Sequence, residues 1–137
     1  MTDAAIVTKR LAKLRQYISL LKQLRSKPTE RFLTEPFVHG NAERHMQLAI
    51  QGVLHIGSHI VADDKLGDVA EYRDIIRILG EAKYLPPDLA ERLLPIAGLR
   101  NILVHDYLEV DRNKLYETLQ TGIEDFEKFA GHVEKLL

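Results

Sequence analysis

Cysteine and tryptophan are absent from the 137 residues, and methionine occurs only twice. Without cysteine there is neither a disulfide framework nor a thiolate metal site. That composition fits a reducing cytoplasm, where the protein is expected to reside. No apolar stretch approaches the roughly 18 residues that a spanning helix needs. Lys9, Arg10, Lys13 and Arg15 also break up the apolar residues near the N-terminus, so neither a membrane span nor a signal peptide is expected. Glycine-rich loops are missing as well, because the close pair Gly52 and Gly57 falls within a helical pattern; a phosphate cradle of that kind is excluded. Serine is scarce and poorly surrounded for a hydrolase triad. No β-type alternation, internal repeat or low-complexity stretch is present. A net charge of −1 excludes a surface coated in phosphate-binding charge, although its distribution is uneven. Residues 1–31 are strongly basic, with only Asp3 and Glu30 opposing them, whereas 63–91 is mostly acidic. The basic first segment reads as a solvated helix face or as a surface for phosphate or an acidic partner.

What is present is helical periodicity. The length suits one domain, residues 1–137, with a core of its own. Ile6, Leu11, Leu14, Ile18, Leu21 and Leu24 predict a first helix over about 3–26, stopped before Pro28. Residues 28–37, holding Pro28 and Pro36, read as a connector. A second helix is expected from about Asn41, as N-cap, to Ala62, with Ala49, Val53, Ile56 and Ile60 on its apolar face. Gly52 and Gly57 weaken that helix but admit close approach by another. A turn at 63–68 leads to a third helix over about 69–80 with Gly80 near its C-cap. Pro86 and Pro87 break the chain, a fourth helix runs from about 88 to 106, and a last one starts at Asp111 or Asn113 and reaches Leu137. The fold class is therefore all-α, an up-and-down bundle of four to five helices.

One helix carries unusual chemistry. Leu89, Leu93, Ile96, Arg100, Leu103 and Tyr107 follow one another at spacings of three and four, a single ridge of the kind that faces a core or a partner. Arg100 interrupts that ridge with a guanidinium that cannot lose its charge, so the site must offer it an anion, a carboxylate or water. A second ridge, through Leu94, Gly98, Asn101, His105 and Leu108, lies about 100° around the axis, so Arg100 and His105 flank one edge of the helix. His105 is the best general acid–base candidate, and Arg100 suits a phosphate whose negative charge builds up during reaction. Histidine with arginine suffices for RNA cleavage, because the substrate's own 2′-OH is the nucleophile. The bland alternative is a core-edge histidine beside an arginine paired to a carboxylate such as Glu43. His55, His59 and Asp63 have the i, i+4, i+8 spacing of metal ligands, yet without a forced third ligand they read better as a polar helix face. His39, His45 and His132 carry no pattern.

Arg100, four residues, His105, one residue, then Tyr107 spells R-x4-H-x-Y, within Leu99-Arg100-Asn101-Ile102-Leu103-Val104-His105-Asp106-Tyr107. This string, the chain length, the helix order and the run Glu43-Arg44…Gln47 resemble the HepT-like HEPN toxins of prokaryotic toxin–antitoxin pairs. The resemblance covers essentially the whole chain, with no departure at the motif positions. It implies a metal-independent endoribonuclease, needing no cofactor, that acts as a homodimer with the motifs of two chains facing across a cleft. It assigns acid–base work to His105 and the phosphate clamp to Arg100; Asn101, outside the minimal motif but next to Arg100, is expected to orient the groups or bind substrate. It further implies a nucleotidyltransferase antitoxin of the MNT type that transfers AMP to Tyr107, placing bulk and negative charge where RNA must bind. Two other readings use the same residues: a non-catalytic HEPN scaffold that binds nucleotide or the nucleotidyltransferase, and a plain helical interaction protein.

Overall fold

Val7, Leu11, Leu14, Ile18 and Leu21 return every three or four residues, and all five are buried. In the computed structural model, which describes residues 3–105 and 110–137, this stripe is the inner face of α1 (Ala4–Arg25). Asp3 starts the helix, its carboxylate accepting from the amides of Ala5 and Ile6. The chain continues through α2 (Thr29–Thr34), α3 (Pro36–Asp63), α4 (Tyr72–Glu81), α5 (Pro87–Leu93), α6 (Ile96–His105) and α7 (Arg112–Glu134). No strand occurs among the described residues, and the fold class is all-α as expected. None of the described helices is long and apolar enough to cross a membrane.

The longest helix, α3, is central and packs against α1, α2, α4, α6 and α7. Met46, Ile50, Leu54, Ile56 and Ile60 from it are fully buried, joined by Phe126 and Phe129 of α7 and Phe32 of α2. α1 and α7 close the bundle on one side, held in antiparallel register by Arg15–Glu134 at 2.7 Å, Lys22–Glu127 at 2.8 Å and Arg25–Glu124 at 2.6 Å. Each step of seven or three residues along α1 is matched by the same step backwards along α7. The acidic partner of the basic first helix is thus, for these three residues, the chain's own last helix. Such exposed pairs contribute only about 0–1 kcal/mol each, so their value lies in fixing register.

The boundaries depart from expectation where proline acts differently from a breaker. The connector 28–37 holds α2, anchored by Phe32, which is fully buried and meets the Tyr116 ring edge-on at 5.0 Å, and by the two-pronged Arg31–Glu35 pair. Pro36 occupies the first turn of α3, where its missing N–H costs nothing. α3 therefore starts well before Asn41, which is no cap; its Nδ2 donates to the Phe37 carbonyl. α4 starts at Tyr72 because Glu71 and Asp74 form a reciprocal capping box, with Asp74 accepting from the amides of Ala70 and Glu71. The expected fourth helix is cut in two. Pro95 lacks the N–H for its turn and its ring crowds the carbonyl of Glu91, so α5 ends at Leu93 and α6 begins at Ile96. The last helix begins on Asp111, whose side chain accepts from the amides of Asn113 and Lys114.

Two glycines work through absence of a side chain. A Cβ at Gly57 of α3 would lie 2.6 Å from Cγ2 of Ile75, and one at Gly80 of α4 would lie 2.7 Å from Cβ of Ala90. Gly80 lies near the C-cap of α4, Ala82, as expected, and it is also the point where α5 crosses α4. Ala90 Cβ cannot swing aside as a longer side chain would. Gly80→Ala is therefore expected to destabilise the fold by about 1–3 kcal/mol. Gly131→Ala, in open space on α7, is expected to stabilise it by about 0.5–1 kcal/mol through helix propensity. Urea denaturation of both variants checks the pair; equal midpoints would refute this account of Gly80.

Candidate active site

Because Pro95 restarts the helix, α6 is oriented by its own apolar residues. Ile96, Ala97 and Leu103 are buried, and the helix packs on α3 and α4. That leaves Arg100 half-buried and Asn101 and His105 exposed. The Arg100 guanidinium donates from Nη1 to Oδ1 of Asn101 at 3.2 Å, and its Cζ stands 4.6 Å from the centroid of the Tyr72 ring at the start of α4. A guanidinium over an aromatic face is held by the ring quadrupole without loss of charge. Among the described residues no carboxylate pairs with Arg100, so the alternative pairing with Glu43 is not realised. Its forked donors keep capacity for a further anion.

Asn101 and Tyr72 line a groove of about 860 Å³ between α3, α4 and α6, together with Leu54, His55, Ser58 and Gly98. His105 ends α6 and is not among the lining residues. Five residues of helix separate it from Arg100, about 7.5 Å along the axis and about 140° around it. No hydrogen bond joins the two side chains, so the shared edge expected from the sequence does not bring them onto one point within a single chain. Tyr107 lies outside the described residues.

His55 enters the site as a residue that sequence reasoning had left on a polar face. Arg10 Nη1 approaches its Nδ1 at 3.3 Å. A guanidinium only donates, so Nδ1 must accept, and the neutral ring carries its proton on Nε2. Burial, followed by the charges of Arg10, His59 and Arg100, pushes the His55 pKa below the ordinary histidine value. Arg10 and Arg100 therefore both bear on one imidazole. Asp63, the third member of the metal-like spacing, accepts from the Asp3 amide instead. Among the described residues no three of histidine, aspartate and glutamate gather as a metal site. The i, i+4 spacing of His55 and His59 was visible in the sequence, and Arg10 belonged to the basic first segment; Tyr72 carried no signal, and the meeting of Arg10 with His55 depends on how α1 crosses α3.

A family model described as Ribonuclease HepT-like matches residues 14–133. The chain is similar to the tRNA nuclease HepT of Aphanizomenon flos-aquae, 26% identical over 135 residues that cover 98% of this chain and 92% of that protein. It is equally similar to the mRNA nuclease HepT of Shewanella oneidensis, 26% identical over 124 residues, covering 90% and 92%. Among solved structures, a tri-AMPylated Shewanella oneidensis HEPN toxin in complex with MNT antitoxin superimposes with a TM-score of 0.87 at 25% identity, covering 98% of this chain and 99% of that one.

The lowered His55 pKa fixes the sign of a pH effect. The folded chain binds the His55 proton more weakly than the unfolded chain, so below the ordinary value of 6.5 the unfolded state takes up more protons. The contribution of His55 to stability is present above that pH and is lost as pH falls through the lowered folded value. Urea midpoints measured from pH 8 to pH 5 are expected to fall less steeply for His55→Gln than for wild type. Identical slopes would show that burial and the neighbouring charges do not hold this ring below its ordinary pKa.

Proposed function

Because the chain belongs to the HepT-like ribonuclease family, we propose that it is the endoribonuclease toxin of a HEPN/MNT toxin–antitoxin pair: one helical domain per chain, working as a cytoplasmic homodimer without a metal. The observation that carries this reading is Arg100, which no carboxylate among the described residues neutralises, held by Asn101 and the Tyr72 ring beside an open groove. Asn101 and Tyr72 fix where the guanidinium stands, so little reordering is needed when a phosphodiester arrives.

In the proposed reaction the 2′-OH of the substrate attacks the adjacent phosphorus. The O2′–P bond forms, the P–O5′ bond breaks, and the products are a 2′,3′-cyclic phosphate and a 5′-OH. Arg100 grips the non-bridging oxygens as they gain negative charge. His105 accepts the 2′-OH proton, and an acid delivers one to O5′. The angular separation of Arg100 and His105 on α6 supports a site shared between two copies, in which the histidine of one chain acts as base and that of the other as acid. No residue of the chain need become a nucleophile, which agrees with the lack of cysteine and the scarcity of serine.

The AMP-bearing Shewanella toxin and its MNT partner support a nucleotidyltransferase antitoxin for this chain too, with Tyr107 as the AMP acceptor. A phosphodiester attached two residues beyond His105 would add negative charge close to the site and compete with the RNA backbone for Arg100.

Cleavage of total RNA and tRNA in EDTA by the unmodified protein tests the reading. Wild type is expected to yield cyclic-phosphate ends. Arg100→Ala is expected to lose about 10²–10³-fold in rate, and His105→Ala about 10²–10⁴-fold. Equal cleavage by all three proteins, or none by a wild type whose intact mass excludes AMP, would overturn it.

A further inference from the structure

Outside the groove at Arg100, the α1–α3 seam opens into a second cleft of about 580 Å³. One wall is a single face of α1, where Lys9, Lys13 and Tyr17 follow at intervals of four residues, about 5.4 Å per turn. The other is α3, with Gln51, His55 and His59. Gly52 leaves part of the floor without a side chain, and no carboxylate lines the cleft. This contrasts with the adjacent face of the same helix, where Arg15, Lys22 and Arg25 are each neutralised by an acid of α7. Lys9 and Lys13 are exposed and form no ion pair among the described residues. Arg10 spends its one observed contact on a neutral imidazole, which leaves its charge uncompensated.

The cleft adjoins the groove across His55. His55 lines both, and it is within electrostatic reach of Arg10 on one side and Arg100 on the other. Lys13, Lys9 and Arg10 on α1 and Arg100 on α6 thus flank the neutral His55 of α3, cations on either side of one polar ring. The composition is that of a single-strand nucleic-acid path: flexible cations for phosphates, an Nε2–H donor at His55, and one half-buried tyrosine ring whose face suits a base.

We propose that the α1–α3 cleft is a backbone-binding subsite for single-stranded RNA, in which Lys9, Arg10 and Lys13 hold phosphates next to the one gripped by Arg100. The identity of the ligand rests on the ribonuclease reading; the position of the subsite rests on the charge and geometry of the cleft. Lys9 and Lys13 supply affinity and register, and the reacting atoms remain at Arg100.

The test uses a 2′-O-methyl oligoribonucleotide, which cannot be cleaved, and fluorescence anisotropy over a range of salt. The full chain is compared with Lys9→Ala/Lys13→Ala and with a charge-matched control, Lys83→Ala/Lys128→Ala, whose lysines are exposed elsewhere. Loss of two phosphate contacts should flatten the slope of log K against log salt by about 1.4 in the cleft variant and leave the control slope intact. On cleavable RNA the cleft variant should raise KM with little change in kcat. Equal slopes for wild type and the cleft variant, or equal flattening in both double variants, would overturn the subsite. Tight, cleft-dependent binding by a wild type that cuts no RNA would uphold the subsite and remove the ribonuclease reading instead.

Discussion

Position 57 carries no side chain, and the arrangement around Arg100 depends on that. With α3 bare at this point, Ile75 and Leu79 of α4 settle directly onto it. α4 then lies close enough to α6 for Tyr72, its first residue, to present its ring to the Arg100 guanidinium. A cation on an otherwise apolar ridge rests there on a π face and an amide, with no carboxylate among the described residues cancelling it. Gly80 repeats the device one layer further out, letting α5 close on α4 and so setting where the chain stands when Pro95 turns it into α6. The helix that bears the chemistry is thus placed by two missing methyl groups and one missing N–H, all remote from the reacting atoms.

Charge is partitioned as carefully as packing. On one side of α1 every basic residue that faces α7 has an acid opposite it, and the pair of helices behaves as a neutral wall. On the other side the cations face imidazoles, an amide and a tyrosine. The overall charge of −1 conceals this contrast completely. A net value near zero says little about whether a protein has a face for anions; the pairing of each cation does.

Much of the bundle was legible in the chain. The apolar stripes of α1, α3 and α7 are long and regular, and Asp111 marks the start of α7 by its own hydrogen bonds. What was not legible was the effect of prolines whose role depends on position. Pro36 reads as a stop but begins a helix, and Pro95 lies within a pattern whose buried residues keep helical spacing on both sides of the break. At the site, Arg100 was conspicuous because a charge stood on a hydrophobic ridge. Asn101 was next to it in sequence, and the structure gives them a shared hydrogen bond. Tyr72 stayed hidden, and Arg10 showed only as one of the cations of the basic first segment, since each reaches the site from another helix. His55 was seen as half of a spacing, but its neighbour in space is an arginine 45 residues away.

The matched steps along α1 and α7 also provide a ruler. Basic residues at 15, 22 and 25 are mirrored by acids at 134, 127 and 124, with intervals of seven and three on both helices. Any insertion within either helix breaks the mirror, whereas one between residues 26 and 111 leaves it untouched. In a distant relative whose motif helix has diverged, two such mirrored triplets near the chain ends would align the bundle before a single catalytic residue is identified. Pairs that contribute little free energy can in this way carry positional information that the chemistry of a short motif does not.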